Sequence, residues 1–374
     1  MPAADPERSL PKHQTAILAS PNSTLAITHN APIPHLLPNS AIIRTAAVAL
    51  NPVDAKMLDY SNPIGSIAGF DFSGTIVALG EGAAAAGRLQ VGDRVAGMVR
   101  GLNKLKPDRG AFAEYVGASA DLLLRVPEGM SFEEAATLGM GVTTSILGLW
   151  GELKVPASLE RLGAARRSGQ EEQGEGAFVL VAGGSTATGT RAIQLLRLAG
   201  LRPITTCSPS NFDLVYRFGA EVAFDYHSPT VAADIRAYTH NELAYVLDCV
   251  SLAETTQMCY NAMGRAGGRY CSLEPFRAAV TQLRALTIEP AWIFALTIFG
   301  EKIAMDGEYG RDAKPEHREL GVRAYEAVQA LLDSGLIETH PARIVAGGWE
   351  EVIKGVEIIR QQSISGYKLV YSIT

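Results

Sequence analysis

The residues best suited to chemistry begin at Phe178, where FVLVAGGSTATG runs an apolar strand into a turn of small side chains and then into a helix starting near Thr186. Without bulky groups in the turn, backbone N–H donors and a helix N-terminus can approach a dinucleotide pyrophosphate. Ser185 and Thr188 stand where a strict G-x-G-x-x-G pattern has glycine or alanine. Their hydroxyls can themselves donate to phosphate, although a turn of this kind also serves as a plain strand-to-helix connector. About 20 residues further on, where an NAD-preferring site carries Asp or Glu against the ribose 2′-OH, the strand ITTC ends in Ser208, Pro209, Ser210 and Asn211. Neutral donors there suit the 2′-phosphate of NADPH. A solvated Ser/Asn turn is the alternative. A third nucleotide-facing turn is expected at Met263, Gly264 and RAGG, whose glycines serve equally as caps and strand breakers.

These groups need a scaffold. From Ala177 onward, AFVLVAGG, LRPITTC, VAFDY and LAYVLDCV alternate with the amphipathic stretches STATGTRAIQLLRLAG, NFDLVYRFGAE and ADIRAYT. Short apolar runs between amphipathic helices predict an α/β fold, a doubly wound parallel sheet of the Rossmann type covered on both faces. Before residue 145, β-branched runs such as AIIRTAAVAL, GTIVALG and DRVAGMV predict a mostly β domain. GGRYCSL and WIFALTIFG read as strands, and HRELGVRAYEAVQALLDSG as a helix closed by Gly335. The tail ARIVAGGWEEVIKGVEIIRQQSISGYKLVYSIT reads strand, helix, strand and is expected to rejoin the first domain. The expected division is therefore 1–145 with 310–374, and 146–309, with a flexible charged insertion over 156–176.

Composition excludes several classes. The chain has 374 residues, 47% hydrophobic, and a formal charge of −6, enough for two cores and without the basic footprint of a nucleic-acid binder. No apolar window approaches a membrane span, and the polar, acidic N-terminus does not resemble a signal peptide. No membrane or nucleic-acid partner is expected. The four cysteines lie far apart without metal-ligand spacing, which points to a reducing, cytoplasmic setting. His35, His227, His240, His317 and His340 lack paired spacing and are read as surface residues, and no metal site is expected.

In the first half, AVALNPVDAKM (Ala47 to Met57), GFDFSGTIVALG (Gly69 to Gly80), VGDRVAG (Val91 to Gly97), GAFAEY (Gly110 to Tyr115) and VPEGMSFEEAATLGMGVTT (Val126 to Thr144) follow one another in an order that resembles the medium-chain dehydrogenase/reductase superfamily. Phe70 and Asp71 stand where its zinc enzymes carry a histidine ligand and a glutamate, and the four-cysteine lobe is missing, so the likeness is to the zinc-independent branch. GGSTATGT, TCSPSNFDLV, GRAGGRYCSLEPF, LTIFGE and SGYKLV are similar to the trans-acting enoyl reductases of fungal highly reducing polyketide synthases.

That resemblance implies a GroES-like catalytic domain beside the Rossmann-type domain, and an NADPH-dependent enoyl reductase. It implies cofactor contacts at Pro52, Val53, Asp54 and Ala55, at Ser185, Thr186, Ala187 and Thr188, at Ser208, Pro209, Ser210 and Asn211, at Met263 and Gly264, and at Ile364 and Ser365. It implies an acyl substrate running past Thr144, Ser145, Ile146, Leu147, Gly148, Leu149, Trp150 and Gly151 and past Phe294, Ala295, Leu296, Thr297 and Ile298. Phe218 replaces a tyrosine common among the relatives, leaving Tyr216 as a substitute candidate. Hydride delivered to Cβ of an unsaturated thioester leaves an enolate to be stabilised and protonated at Cα. Lys56 is the candidate for that work, or for holding a phosphate of the carrier or cofactor, or else an exposed loop lysine, with Asp54 fixing its loop and Thr144 as a further hydroxyl donor, or else the capped start of a helix. The implied partner is a highly reducing polyketide synthase, alone or joined to a nonribosomal peptide synthetase, with its acyl carrier protein, served by a monomer. A free-standing quinone or enone reductase and a nonenzymatic NADPH-binding protein are the alternatives.

Overall fold

The computed structural model describes residues 10–164, 176–361 and 364–373. The chain divides into two compact units: Met1–Val126 with Ile344–Ser363 and Leu369–Thr374, and Pro127–Arg343 with Ile364–Lys368. The expected boundaries at 145/146 and 309/310 both fall inside the second unit.

The first unit is β-rich. β1 (His13–Ser20) and β2 (Thr24–Pro32) form an antiparallel pair, followed by β3 (Ser40–Ala49), helix α1 (Pro52–Tyr60), β4 (Asp71–Leu79), β5 (Arg94–Met98), β6 (Tyr115–Ser119) and β7 (Leu123–Arg125). β3 reads SAIIRTAAVA, and most of its length is buried. A strand so rich in apolar residues must be covered on both faces, and it pairs β4 on one edge and β6 and the chain's last strand on the other.

The second unit carries the parallel sheet β10-β9-β8-β11-β12-β13. Its strands are β8 (Phe178–Ala182), β9 (Arg202–Cys207), β10 (Val222–Asp225), β11 (Tyr245–Asp248), β12 (Gly268–Ser272) and β13 (Ile288–Trp292). Helix α2 (Gly139–Ile146) precedes it, α3 (Ala187–Leu198), α4 (Phe212–Arg217), α5 (Val231–Tyr238) and α6 (Ala253–Ala262) connect its strands, and α7 (Pro315–Asp333) follows. FVLVA in β8 is buried at every residue, as a central parallel strand between two helical layers requires. Leu180, Ile204, Ile235, Val246, Tyr260 and Tyr270 share one core on one side of this sheet. Pro315 opens α7 and Gly335, at φ 63°, follows its end. The chain then forms β14 (Ala342–Val345), α8 (Gly348–Arg360) and β15 (Lys368–Ser372), so that the larger first-unit sheet reads β14-β15-β3-β4-β5-β7.

Three expectations change. The run WIFALTIFG is not one strand: β13 stops at Trp292 and residues 295–299 form a 3₁₀ turn. Leu296, Thr297 and Ile298 are buried there, and an apolar run buried on all sides carries no period that separates strand from helix. Part of the expected insertion is ordered packing, since Leu159 and Leu162 are buried and the Trp150 indole donates to the Ala157 carbonyl at 2.8 Å; residues 165–175 lie outside the described residues.

The third change concerns two histidines. His317 and His340 are interior, with only 7% and 2% of their surface exposed. His317 Nδ1 lies 2.7 Å from the Thr297 hydroxyl, and His340 Nδ1 lies 2.9 Å from that of Thr190. Burial, reinforced by the Lys368 and Arg191 charges, brings the His340 ring down from 6.5 to about 3. An unfolded chain therefore takes up this proton near pH 6.5 while the folded one does not, and stability is lost as pH falls from 6.5 toward 3. At about pH 5 the loss from this side chain is about 2 kcal/mol. His340→Gln is expected to flatten the decline in urea midpoint between neutral pH and about pH 5; an unchanged slope would contradict the assignment.

Candidate nucleotide site and the residues around it

The turn after β8 is built from close main-chain contacts. The N–H groups of Gly183 and Gly184 both donate to the Thr206 carbonyl in β9 at 3.0 Å, drawing the turn toward its neighbour. Gly183 has φ 80°, and a Cβ on Gly189 would lie 2.4 Å from the Gly183 carbonyl oxygen. Thr186 caps α3: its hydroxyl accepts from Gly189 N–H at 2.9 Å and donates to the Gly183 carbonyl at 2.8 Å. The first-turn N–H groups of Ala187 and Thr188 have no carbonyl inside the helix to receive them. A twelve-residue helix opening from a side-chain-poor turn has the geometry that can receive a phosphate. Ser185 is buried beside it, while Thr186, Ala187 and Thr188 are partly exposed.

At the next carboxyl end, after β9, Ser208 is partly exposed and Pro209 and Ser210 are exposed. Asn211 donates through Nδ2 to the Ser365 hydroxyl at 3.1 Å, bringing together two segments 154 residues apart, with Ile364 adjoining. Tyr226, which sequence reading misses, follows β10, and its hydroxyl lies 3.4 Å from that of Ser208. Its signal is its place as the last residue of the predicted strand VAFDY, at the ligand-binding edge. Tyr216, the candidate substitute, is committed elsewhere: its hydroxyl accepts from Ala223 N–H of β10 at 3.3 Å, and Phe218 is buried. Asp225 gives its carboxylate to His227, whose backbone and ring nitrogens lie 3.0 and 2.9 Å away.

Met263 and Gly264 are not at this edge. Gly264 N–H donates to Leu243, two residues before β11 begins, and the Arg284 guanidinium binds the carbonyls of Tyr260, Met263 and Gly264. α6 leaves the carboxyl end of β11 and must return to the start of a parallel β12, so its last residues lie at the amino edge of the sheet, away from a nucleotide. The corresponding turn at the carboxyl edge is Leu273 and Glu274, directly after β12. The run CSLEP carries it, hidden behind the more glycine-rich RAGG.

In the first unit, Asn51 precedes α1 and donates its backbone N–H to the Asp54 carboxylate at 2.6 Å, while its side chain donates to Asp71 at 3.0 Å. Asp54 and Asp71 are buried. Asp54 is therefore a helix-start anchor that fixes the opening turn carrying Pro52, Val53, Ala55 and Lys56. Pro52 is exposed, Val53 and Lys56 are half-buried, and Ala55 is buried.

The expected acyl-binding residues divide. Thr144 lies inside α2, not at a capped start, and is 6% exposed. Ser145, Ile146, Leu147, Gly148 and Leu149 are interior: the Ser145 hydroxyl donates to the Thr188 carbonyl, and a Cβ on Gly148 would lie 2.9 Å from Leu247 of β11. They pack the second unit and offer no surface, because a fully apolar run reads the same whether it lines a pocket or fills a core. Trp150 and Gly151 are half-buried. Phe294 stacks with Trp292 and Tyr309, at centroid distances of 6.2 and 5.6 Å, and Ala295 is half-buried, while Leu296, Thr297 and Ile298 point inward.

Among the described residues no group of three His, Cys, Asp or Glu side chains is arranged to hold a metal. Burial pushes the Cys207 thiol up to about 11 and raises the Cys259 and Cys271 thiols well above the ordinary thiol range, so none of the three is a ready nucleophile.

Both units match known families. The alcohol dehydrogenase GroES-like domain family matches residues 37–128, and the zinc-binding dehydrogenase family matches residues 187–297. Trans-enoyl reductase caaB of Aspergillus niger is 59% identical over 373 residues, covering 100% of both chains. Trans-enoyl reductase traG of Penicillium crustosum is 58% identical, and thnE of Trichoderma harzianum 54%, each with 100% of both chains covered. Among solved structures, CurK enoyl reductase superposes with a TM-score of 0.73 at 19% identity over 97% of this chain and 100% of that one. The quinone oxidoreductase from Coxiella burnetii gives 0.67 at 22%, over 97% and 100%. At these identities the structural likeness establishes the fold alone, whereas the full-length sequence identity establishes the family.

The cap on α3 can be tested without any ligand. Thr186→Ala removes an acceptor for Gly189 N–H and is expected to cost about 1 kcal/mol, a fall of about 2–4 °C in melting temperature. Thr186→Ser should restore it, and a melting curve indifferent to both changes would refute the capping role.

Proposed function

This chain belongs to the trans-enoyl reductases of the medium-chain dehydrogenase/reductase superfamily, and from that premise we propose that it reduces the Cα=Cβ bond of an unsaturated polyketide thioester carried by a partner synthase. As a member of this family it uses a nicotinamide cofactor, and we take that cofactor to be NADPH. What carries the reading is full-length identity of 59% to a trans-enoyl reductase, joined to a close-packed, side-chain-poor strand-to-helix turn at residues 183–189.

When bound, NADPH supplies a hydride to Cβ. The chain's own residues do the rest. The α3 N-terminus and the Thr186–Thr188 turn take the pyrophosphate, and Ser208, Asn211, Tyr226 and Ser365 offer neutral hydrogen-bond partners to the adenosine 2′-phosphate. The fit is supported by the close glycine packing, which a Cβ at Gly189 would destroy. We assign Lys56, on the turn fixed by Asp54, to the negative charge that develops on the thioester oxygen and to proton delivery toward Cα. The burial of Thr144 inside α2 argues against a role for it, and we assign none.

The partner reading extends the family name: a fungal highly reducing polyketide synthase, free or fused to a nonribosomal peptide synthetase, presents the thioester on its acyl carrier protein. We take the protein to act as a cytoplasmic monomer. For the monomer, the supporting observation is that Tyr309 and Arg311 close over Trp292 at the end of β13, one of the two outer strands of its sheet, with Arg311 stacked 3.9 Å from the indole centre. No helix among the described residues is long and apolar enough to cross a membrane.

The decisive assay compares NADPH oxidation with an enoyl-pantetheine thioester against oxidation with a simple quinone. Preference for the thioester is expected; preference for the quinone would replace this reading with a free-standing quinone reductase, and tight NADPH binding without turnover of either would indicate a nonenzymatic role. Lys56→Met should lower kcat about 10²-fold or more while leaving NADPH affinity within about threefold. Asn211→Asp places a carboxylate beside the expected 2′-phosphate and should raise the KM for NADPH about tenfold with little effect on NADH.

A further inference from the structure

We infer that Asp248 is a positioning residue for the nicotinamide half of the cofactor, acting through the two adjacent turns that follow β11 and β12. The inference rests on the NADPH reading above but concerns residues that reading does not use.

Asp248 is the last residue of β11 and has no exposed surface. Its Oδ1 accepts from the N–H groups of Val250 and Ser251 at 3.0 and 2.9 Å. Its Oδ2 accepts from the hydroxyls of Thr255 and Tyr270 at 3.0 and 2.8 Å. Burial raises the carboxyl's pKa, and these four donors oppose that rise. A buried carboxylate is an expensive way to fill space, and an apolar side chain would do so without desolvating a charge. What Asp248 provides instead is a fixed turn. Ser251 is held at φ 61°, a left-handed conformation that is uncommon and costly for a residue other than glycine. Its hydroxyl donates to the Asp248 carbonyl at 3.0 Å and accepts from Leu273 N–H, just past β12, at 2.8 Å. One carboxylate thus sets the turn after β11, and Ser251 passes that setting to the turn after β12.

Their place in the sheet gives these turns a task. The strand order is β10-β9-β8-β11-β12-β13, with the pyrophosphate cradle after β8 and the adenosine-side residues after β9 and β10. A dinucleotide crossing the carboxyl edge carries its other half over β11 and β12. The β11 turn also abuts the cradle, since a Cβ on Gly183 would lie 2.6 Å from the Val250 side chain.

Calorimetry on the full chain with two ligands separates positioning from simple stabilisation. NADPH spans both halves of the site, whereas 2′,5′-ADP occupies only the adenosine side. Asp248→Asn is expected to weaken NADPH about tenfold and leave 2′,5′-ADP within about twofold. Ser251→Gly keeps the left-handed turn without strain and removes both hydroxyl bonds, to the Leu273 N–H and to the Asp248 carbonyl; it should weaken NADPH about threefold with 2′,5′-ADP affinity unchanged, so it carries the test if the asparagine variant fails to fold. Equal losses for both ligands, or no loss of NADPH affinity in Ser251→Gly, would overturn the inference. Wild-type protein that bound no NADPH would instead sink the cofactor reading, and this inference with it.

Discussion

Between Gly183 and Gly189 two stretches of main chain lie so close that a single added carbon would collide with a carbonyl oxygen at 2.4 Å. That approach lets α3 start directly against β8 and aim its first N–H groups outward. With any side chain at residue 189, helix and strand would separate, and the capping bonds from Thr186 would lose their geometry. The turns that follow β9, β10, β11 and β12 lie at the same edge, because these strands are registered in parallel on β8 or on its neighbours.

At that edge the protein relies on neutral donors and on one deeply buried carboxylate. Hydroxyls and an amide mark the end expected to hold the adenosine, and Asp248 with its four donors marks the other. The first unit shows a related arrangement, with Asp54 and Asp71 buried around Asn51 at the start of α1. In both places an acidic side chain does its work on the backbone, holding a turn whose neighbours face outward. Buried carboxylates of this kind are accordingly poor candidates for catalysis in their own right, and the partly exposed Lys56 is the better one.

Much of this is legible in the sequence. The alternation of apolar runs with amphipathic stretches locates β8 to β12 and the helices between them, since period and length identify elements that bury one face. The small-residue turn at 183–189 is equally plain, and so is the departure at Phe70 and Asp71 from a zinc-ligand pattern. The failures share a cause. Family likeness puts Ser145 to Leu149 and Leu296 to Ile298 along a substrate path, yet they are interior. Spacing makes His317 and His340 surface residues, yet they are buried. In each case residue type is visible along the chain, but the direction in which the side chain points is not.

The sequence by itself determined the local elements, the small-residue turn at 183–189 and the family, because these depend on residues adjacent in the chain or on identity spread along its whole length. Tertiary structure alone decided which edge of the sheet each turn occupies and which distant segments meet. It placed Met263 and Gly264 at the amino edge, brought Ser365 to Asn211, set Tyr226 beside Ser208, and linked Ser251 to Leu273. The physical reason is that strand register and burial arise from packing between segments far apart in the chain, and no local spacing records them.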